Sequence, residues 1–248
     1  MTQAADLYLI TLARQMRSTD VLHVGASQMD VWQAAEVAKL LWAPRLRLVA
    51  ACTYHLAPGS HIGTGLMQSR NYARDVIAAR QATFTQSRVF DDLRRTRVVF
   101  AGGMQVDERG NANLIGFTNG DTFVRGPGSA GLPTLTSHSE RFFIAVPRHN
   151  ARTLVARVER ISVLGDRRAR REWGLPECSL QEVITPLASF RPDEQGLKVV
   201  GLSPGMTEAE LQRSTGFALR MDPDCVVRPA LTQDEKDALT QVRVQAGV

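Results

Sequence analysis

The first fifty residues alternate twice between a helical and a strand-like apolar pattern, and no other feature restricts the fold as strongly. Leu9, Leu12, Ala13 and Met16 recur at helical spacing between Ala5 and Arg17. Val21-Leu-His-Val-Gly25 is short and apolar. From Asp30 to Trp42 a second helical face carries Val31, Ala35, Ala38, Leu41 and Trp42, and Pro44 blocks its continuation. Arg45 to Cys52 reads as a strand with apolar residues on both faces near its end. Helix, strand, helix, strand in that order predicts parallel strands joined by crossover helices. The expected fold class is therefore α/β, an open mostly parallel sheet with flanking helices. A chain of 248 residues with no internal repeat or long linker fits one domain over 1–248.

The later pattern is less regular. Residues 54–71 are rich in Gly, His and Ser and read as a loop. A helix is predicted from Ser87 to Arg95, and a strand at Arg97-Val-Val-Phe-Ala101. Residues 102–141 hold eight glycines and should be mostly loops and turns. Further strands are predicted at Phe142–Val146, Arg157–Val163, Thr185–Phe190 and Lys198–Leu202. Thr207 with Glu210 forms a capping box that opens a helix over Glu208–Thr215, and Thr232 caps a last helix over Gln233–Gln245.

Composition removes several function classes. The longest apolar runs fall far short of the roughly 18 residues that mark a membrane span, and Met1–Asp6 lacks the basic flank and apolar core of a signal peptide. Cys52, Cys178 and Cys225 are few and widely spaced, which argues against a disulfide framework or a zinc site and predicts a reducing, cytoplasmic setting. His23, His61, His138 and His149 show no metal-ligand spacing. The net charge of +5 comes from 30 basic and 25 acidic residues. It helps with any anionic ligand without choosing one. The cluster Arg167-Arg-Ala-Arg-Arg171 lacks aromatic interleaving or a nucleic-acid motif and reads as a solvated surface segment. Neither nucleic acid nor a membrane is expected as a partner.

Three constellations carry chemistry. Cys52 stands where an apolar strand meets a Gly/His-rich loop, followed by Thr53, Tyr54 and His55. Ligands of open α/β sheets bind beyond the carboxyl ends of strands, so a thiol there is a candidate catalytic group; as a small buried hydrophobe it would be inert. The run Gly126-Pro-Gly-Ser-Ala-Gly131 (Gly126, Gly128, Ser129, Ala130 and Gly131) can aim successive N–H groups at an oxyanion or phosphate, or it can be a Gly/Pro turn. No Lys-Ser/Thr follows it, so it is not a P-loop. Gln105, Asn111 and Asn113 form a dense set of amides after the strand at 97–101, suited to a substrate pocket or to turn chemistry around Asp107 and Gly110.

Together these pieces resemble the β subunits of the class I CoA-transferase family, in its glutaconate CoA-transferase branch. The resemblance rests on Phe90-Asp-Asp-Leu, on Gly103-Met-Gln-Val-Asp-Glu-Arg-Gly-Asn-Ala-Asn113, on Gly126–Gly131, and on Leu202-Ser-Pro-Gly-Met-Thr-Glu-Ala-Glu-Leu with Thr215-Gly-Phe217. It implies the class I CoA-transferase fold and a partner α subunit of similar fold, in a heterodimer or heterotetramer. It also implies a CoA thioester substrate, with the Gly loop near the thioester oxygen.

In the transferases a glutamate just after the strand matching Arg45–Ala51 attacks the thioester. Here Val49-Ala-Ala-Cys-Thr-Tyr-His55 contains no Glu or Asp. A thiol cannot take over that role, because its attack would give an acyl-cysteine rather than an enzyme–CoA thioester. The 3-methylglutaconyl-CoA decarboxylase of the alternative isovaleryl-CoA route is similar in carrying a cysteine at this place. The resemblance thus implies the β subunit of a decarboxylase converting 3-methylglutaconyl-CoA to 3,3-dimethylacrylyl-CoA, in leucine-related metabolism. The alternatives are a CoA-transferase subunit moving CoA between a dicarboxylic acid and acetate, a CoA-ester hydrolase subunit, and a non-catalytic partner. No cofactor is expected, coenzyme A being part of the substrate: loss of CO₂ sends electrons through the alkene to the thioester oxygen, and the thioester is itself the sink.

Overall fold

The computed structural model describes residues 3–25, 28–50, 54–56, 81–82, 98–177 and 179–246. They cluster into two compact units, one over 1–100 and 231–248, the other over 101–230.

The first unit realises the predicted alternation. Helix α1 (Gln3–Ala13), strand β1 (Val21–Val24), helix α2 (Met29–Leu41) and strand β2 (Arg47–Ala50) follow in order. β1 and β2 pair in parallel from Val21↔Arg47 to Val24↔Ala50. All four β1 residues are buried, as expected of a parallel strand covered on both faces. β2 turns back antiparallel into β3 (Tyr54–Leu56), which pairs with β4 (Gln81–Ala82). On the other side, β5 (Val98–Ala101) runs parallel to β1. Leu7, Ile10, Leu12, Val31, Ala34, Ala35 and Ala38 bury the facing sides of α1 and α2. Each fully buried large aliphatic contributes about 1.5–3 kcal/mol. His23 lies inside β1, and burial lowers its pKa to about 4.

The second unit begins with short strands in the stretch expected to be loop: β6 (Gln105–Asp107), β7 (Ala112–Asn113), β8 (Gly116–Asn119) and β9 (Thr122–Arg125). Helix α3 (Leu132–His138), strand β10 (Arg141–Ala145) and the short β11 (Leu154–Val155) follow. Next come helix α4 (Arg167–Glu172) and the run β12 (Leu180–Ile184), β13 (Ala188–Asp193) and β14 (Gly196–Leu202). β10 and β12 pair in parallel, whereas β12–β13 and β13–β14 are antiparallel hairpins. Helix α5 (Glu208–Ser214) starts at the predicted capping box: the Thr207 hydroxyl accepts the Glu210 N–H, and Glu210 accepts the Thr207 N–H. Strand β15 (Met221–Val227) pairs with β14 in parallel. Helix α6 (Gln233–Ala246) belongs to the first unit, where Glu235 accepts from both Nε and Nη2 of Arg14, just after α1, at 2.8 and 2.7 Å. Among the described residues no helix is long and apolar enough to cross a membrane.

The fold is α/β as expected, with corrections in detail. The stretch expected as an irregular loop from residue 54 opens with β3. Arg157–Val163 is not a strand: Val163 makes only an isolated bridge to Ala112, and β11 lies just before it. The expected strand Thr185–Phe190 is a turn followed by the start of β13, because the Thr185 hydroxyl accepts the N–H groups of Leu187 and Ala188. The expected helix over Ser87–Arg95 lies outside the described residues.

Candidate functional site

The Gly126–Gly131 loop is held by the segment that precedes it. The Gly126 N–H donates to the Ile115 carbonyl at 2.8 Å, and the Gly128 N–H to the Leu114 carbonyl at 2.9 Å. A Cβ on Gly126 would sit 2.1 Å from the Leu114 oxygen and 2.3 Å from Met104 Sδ, so this close approach requires glycine. Gly128 has φ +93°, a region that L side chains rarely occupy. Beyond these anchors Ala130 also has a positive φ, +45°, and Gly131 returns to −83°. Alternation of this kind is the backbone pattern of loops that turn successive N–H groups to one side. The N–H groups of Ala130 and Gly131 have no hydrogen-bond partner among the described residues, and both residues are exposed.

The amide cluster builds the cradle beneath. Asn113 is fully buried; its Oδ1 accepts the N–H groups of Ile115 and Gly116, and its Nδ2 donates to the Gly116 carbonyl and to Gln105 Oε1. Asn111 donates to Asp107 through its N–H and its Nδ2, and accepts the N–H groups of Gly165 and Asp166. Burial raises the Asp107 pKa against its own hydrogen bonds to Asn111, Val158 and Arg109. Asn113 therefore spends its amide on the segment whose carbonyls grip the loop, whereas Asn111 ties the Asp107 turn to the backbone at Gly165 and Asp166. Gln105, half-buried at the cluster's edge, has its oxygen engaged by Asn113.

Cys52 and Thr53 lie outside the described residues, in the stretch 51–53 between β2 and β3. Tyr54 and His55 are on β3, paired in register with Ala50 and Val49. Cys178 also lies outside the described residues. Cys225 is half-buried on β15, with burial pushing its thiol pKa up.

Two features escaped the sequence. The cluster expected to be solvated at 167–171 contains a fully buried arginine. Arg170 donates to the carbonyls of Pro176, Leu164 and Thr136 at 2.7, 2.9 and 3.3 Å, and its guanidinium lies 5.2 Å from the Phe142 ring centroid. Thr136 belongs to α3, so Arg170 ties the helix that follows the Gly loop to the core. His149 bridges the hydroxyls of Thr185 and Thr215 at 2.8 and 3.0 Å. Burial, with the nearby Arg228 charge, lowers its pKa to about 4. Among the described residues no cluster of three or more His, Cys, Asp or Glu side chains is placed to hold a metal.

The α/β fold agrees with what comparison with known proteins finds. No family model matches the chain. A 3-oxoadipate CoA-transferase subunit from Pseudomonas knackmussii is 31% identical over 152 residues, a match covering 58% of this chain and 58% of that relative's length. The decarboxylase AibA/AibB superposes with a TM-score of 0.78 at 26% identity, covering 95% of this chain and 92% of that one. The resemblance of the chain to the class I CoA-transferase family thus extends from its motifs to its fold. Glutaconate CoA-transferase from Acidaminococcus fermentans shares the fold, with a TM-score of 0.78 at 20% identity over 98% of this chain and 94% of that one. AibA/AibB variants carrying Val or Ala in place of one cysteine match similarly, with TM-scores of 0.79 and 0.77. Within this family fold, the Gly126–Gly131 loop is a part of the second unit that presents backbone donors on a rigid base.

Proposed function

We propose that this chain is the β-type subunit of a cofactor-free decarboxylase for a glutaconyl-type CoA ester, with 3-methylglutaconyl-CoA as substrate and 3,3-dimethylacrylyl-CoA as product. One observation carries the reading: the stretch Val49–His55 after β2 holds Cys52 and no carboxylate. Without a carboxylate there, this subunit has no group to form the enzyme–CoA thioester that transfer requires. The structural relationship to a decarboxylase supports the same reading.

The chemistry needs little else. The substrate carboxylate leaves as CO₂. The electron pair of the breaking C–C bond passes through the alkene to the thioester oxygen, giving a dienolate. The N–H groups of Ala130 and Gly131 stabilise that oxygen, a contribution of roughly 3–4 kcal/mol per well-placed donor. A proton then adds to the terminal carbon and restores the neutral thioester. An unperturbed thiol has a pKa of about 8.5, so Cys52 is mostly protonated at neutral pH and supplies that proton. Asn113 holds the segment that grips the loop, and Asn111 braces the Asp107 turn, rather than either binding the substrate. The working assembly pairs this chain with an α-type subunit in a heterodimer or heterotetramer, in the cytoplasm.

A CoA-transferase subunit is the second reading, favoured by the 31% identity to a subunit of a 3-oxoadipate CoA-transferase. Co-purification with the α-type partner, followed by assay of CO₂ release from 3-methylglutaconyl-CoA, decides between the two. The proposal expects CO₂ release that falls steeply in Cys52→Ala, and no CoA exchange into free acetate or a dicarboxylic acid. Exchange without CO₂ release overturns it, as does full turnover by Cys52→Ala.

A further inference from the structure

The scaffold under the loop contains a buried hydroxyl whose proton has one destination among the described residues. Ser162 is 2% exposed, and its Oγ accepts the Leu114 N–H at 2.9 Å. A hydroxyl that accepts still carries its own proton, and burying that proton unpaired is unfavourable. The other polar atom paired with Ser162 Oγ among the described residues is Ser129 Oγ, 3.1 Å away. Two directions are possible for that contact. If Ser129 donates, the buried Ser162 proton has no acceptor and the proton on the more accessible residue is spent. If Ser162 donates, every buried group is satisfied. The second direction gives a chain from the Leu114 N–H to Ser162 to Ser129 Oγ, and it leaves the Ser129 proton free.

Ser129 is half-buried and stands immediately before Ala130 and Gly131, whose N–H groups have no partner among the described residues. We infer that Ser162 is a positioning residue that orients the Ser129 hydroxyl as a further donor to the thioester oxyanion in the Gly loop. The backbone holds Ser162 firmly in place, since its N–H donates to the Ala112 carbonyl at 2.8 Å, beside the Ala112–Val163 bridge. The same hydroxyl that fixes Leu114, and through its carbonyl Gly128, also sets the Ser129 proton. The loop backbone and its side-chain donor thus share one anchor. This inference rests on the oxyanion role proposed above for the loop.

A double-mutant cycle on the complex with its α-type partner tests it, using 3-methylglutaconyl-CoA and correcting kcat for the folded fraction. Ser129→Ala should lower kcat by about tenfold or more with KM nearly constant, because the donor matters once charge develops. Ser162→Ala should also lower kcat, and by a clearly smaller factor once Ser129 is alanine, what remains being the loss of the Leu114 anchor. Ser162→Thr, which keeps both the acceptor and the donor, should restore turnover. If Ser162→Ala does not fold, Ser162→Cys, a weaker donor of similar shape, replaces it in the cycle. Equal effects of the Ser162 change in both Ser129 backgrounds overturn the inference, since a purely structural serine acts independently of Ser129. An unchanged kcat in Ser129→Ala overturns it too. The loop reading itself is checked separately by Gly131→Ala: if that variant keeps full kcat, the oxyanion role has failed and this inference with it. If Gly131→Ala loses kcat while the serine cycle is additive, only this inference fails. An unaltered complex that does not turn over the ester defeats both.

Discussion

Gly131→Ala separates an oxyanion loop from an ordinary turn, and the structure says why it is a clean substitution. Gly131 has φ −83° and ψ 1°, which alanine adopts without strain. Among the described residues a Cβ built on it meets only Leu135 Cδ1 at 3.8 Å, an ordinary contact. Gly131 is also the N-cap of α3, where alanine is poorer than glycine. The entropy lost by replacing glycine in the unfolded chain, about 0.4–1 kcal/mol, acts in the opposite direction. The two nearly cancel, so the melting temperature should move by no more than about 2 °C. The catalytic expectation is different. On the oxyanion role proposed above, the reacting oxygen approaches the Gly131 N–H through the open space beside it, and a methyl group there displaces it. Losing one such donor costs roughly 10²–10³ in kcat, or about 2.7–4 kcal/mol of transition-state stabilisation. KM should change less, since the nucleotide end of CoA is bound away from the reacting carbonyl. The assay is steady-state decarboxylation by the purified complex, alongside a thermal melt of the same preparation. A kcat within twofold of the parent, at an unchanged melting temperature, refutes the reasoning. A large drop in melting temperature refutes it as well, because the structure leaves room for the methyl group.

Other perturbations should act on the scaffold. In Gly126→Ala the new methyl is driven into the Leu114 carbonyl and Met104 Sδ, so stability should fall by about 1–3 kcal/mol, read as a lower urea midpoint. Arg170→Met fills much of the same volume but strands the carbonyls of Pro176, Leu164 and Thr136. It should therefore cost about 3 kcal/mol or more in urea unfolding, and a stability equal to the parent would show that the guanidinium is dispensable. His149, with its pKa lowered from 6.5 to about 4 by burial, is neutral in the fold at pH values where the unfolded chain already protonates it. The unfolded state then binds the extra proton, so stability rises with pH between about 4 and 6.5, with a slope up to about 1.4 kcal/mol per pH unit. His149→Gln should remove that contribution, and an identical pH profile for variant and parent would contradict the assignment.

How much of this was readable in the sequence follows from the range of the interactions involved. α1, β1, α2 and β2 were legible because each is written in a local apolar period and bounded by its own stop, such as Pro44 after α2. The α5 capping box was legible because its two partners are three residues apart. The short strands β6–β9 were not, since glycines and amides carry no periodic apolar signal, and their pairing is fixed by side chains such as Asn113 reaching back to the backbone. β15 was missed for a related reason: it contains Pro223 and charged residues and exposes Val226 and Val227, so it lacks the alternation of a half-buried strand.

The functional residues divide along the same line. Gly126–Gly131 stood out because three glycines in six residues are a local oddity, and the structure adds what spacing could not say. Gly126 is required by close approach, Gly128 by its dihedral angle, and Gly131 by neither. A glycine kept where alanine would fit is therefore the position at which a functional demand is most cleanly separated from a structural one. Arg170 and Ser162 were invisible for the opposite reason. An arginine among four arginines reads as surface, and a serine in a polar stretch reads as filler, until the fold brings carbonyls from residues 136, 164 and 176 around one and the Leu114 N–H onto the other. The loop's own sequence supplies the donors. Its rigidity comes from groups many residues away, so a match to the Gly motif alone would not distinguish a preorganised oxyanion site from a mobile turn. Asn113, Ser162 and Arg170 supply that rigidity, because each uses its polar side chain to hold the segments that carry the loop.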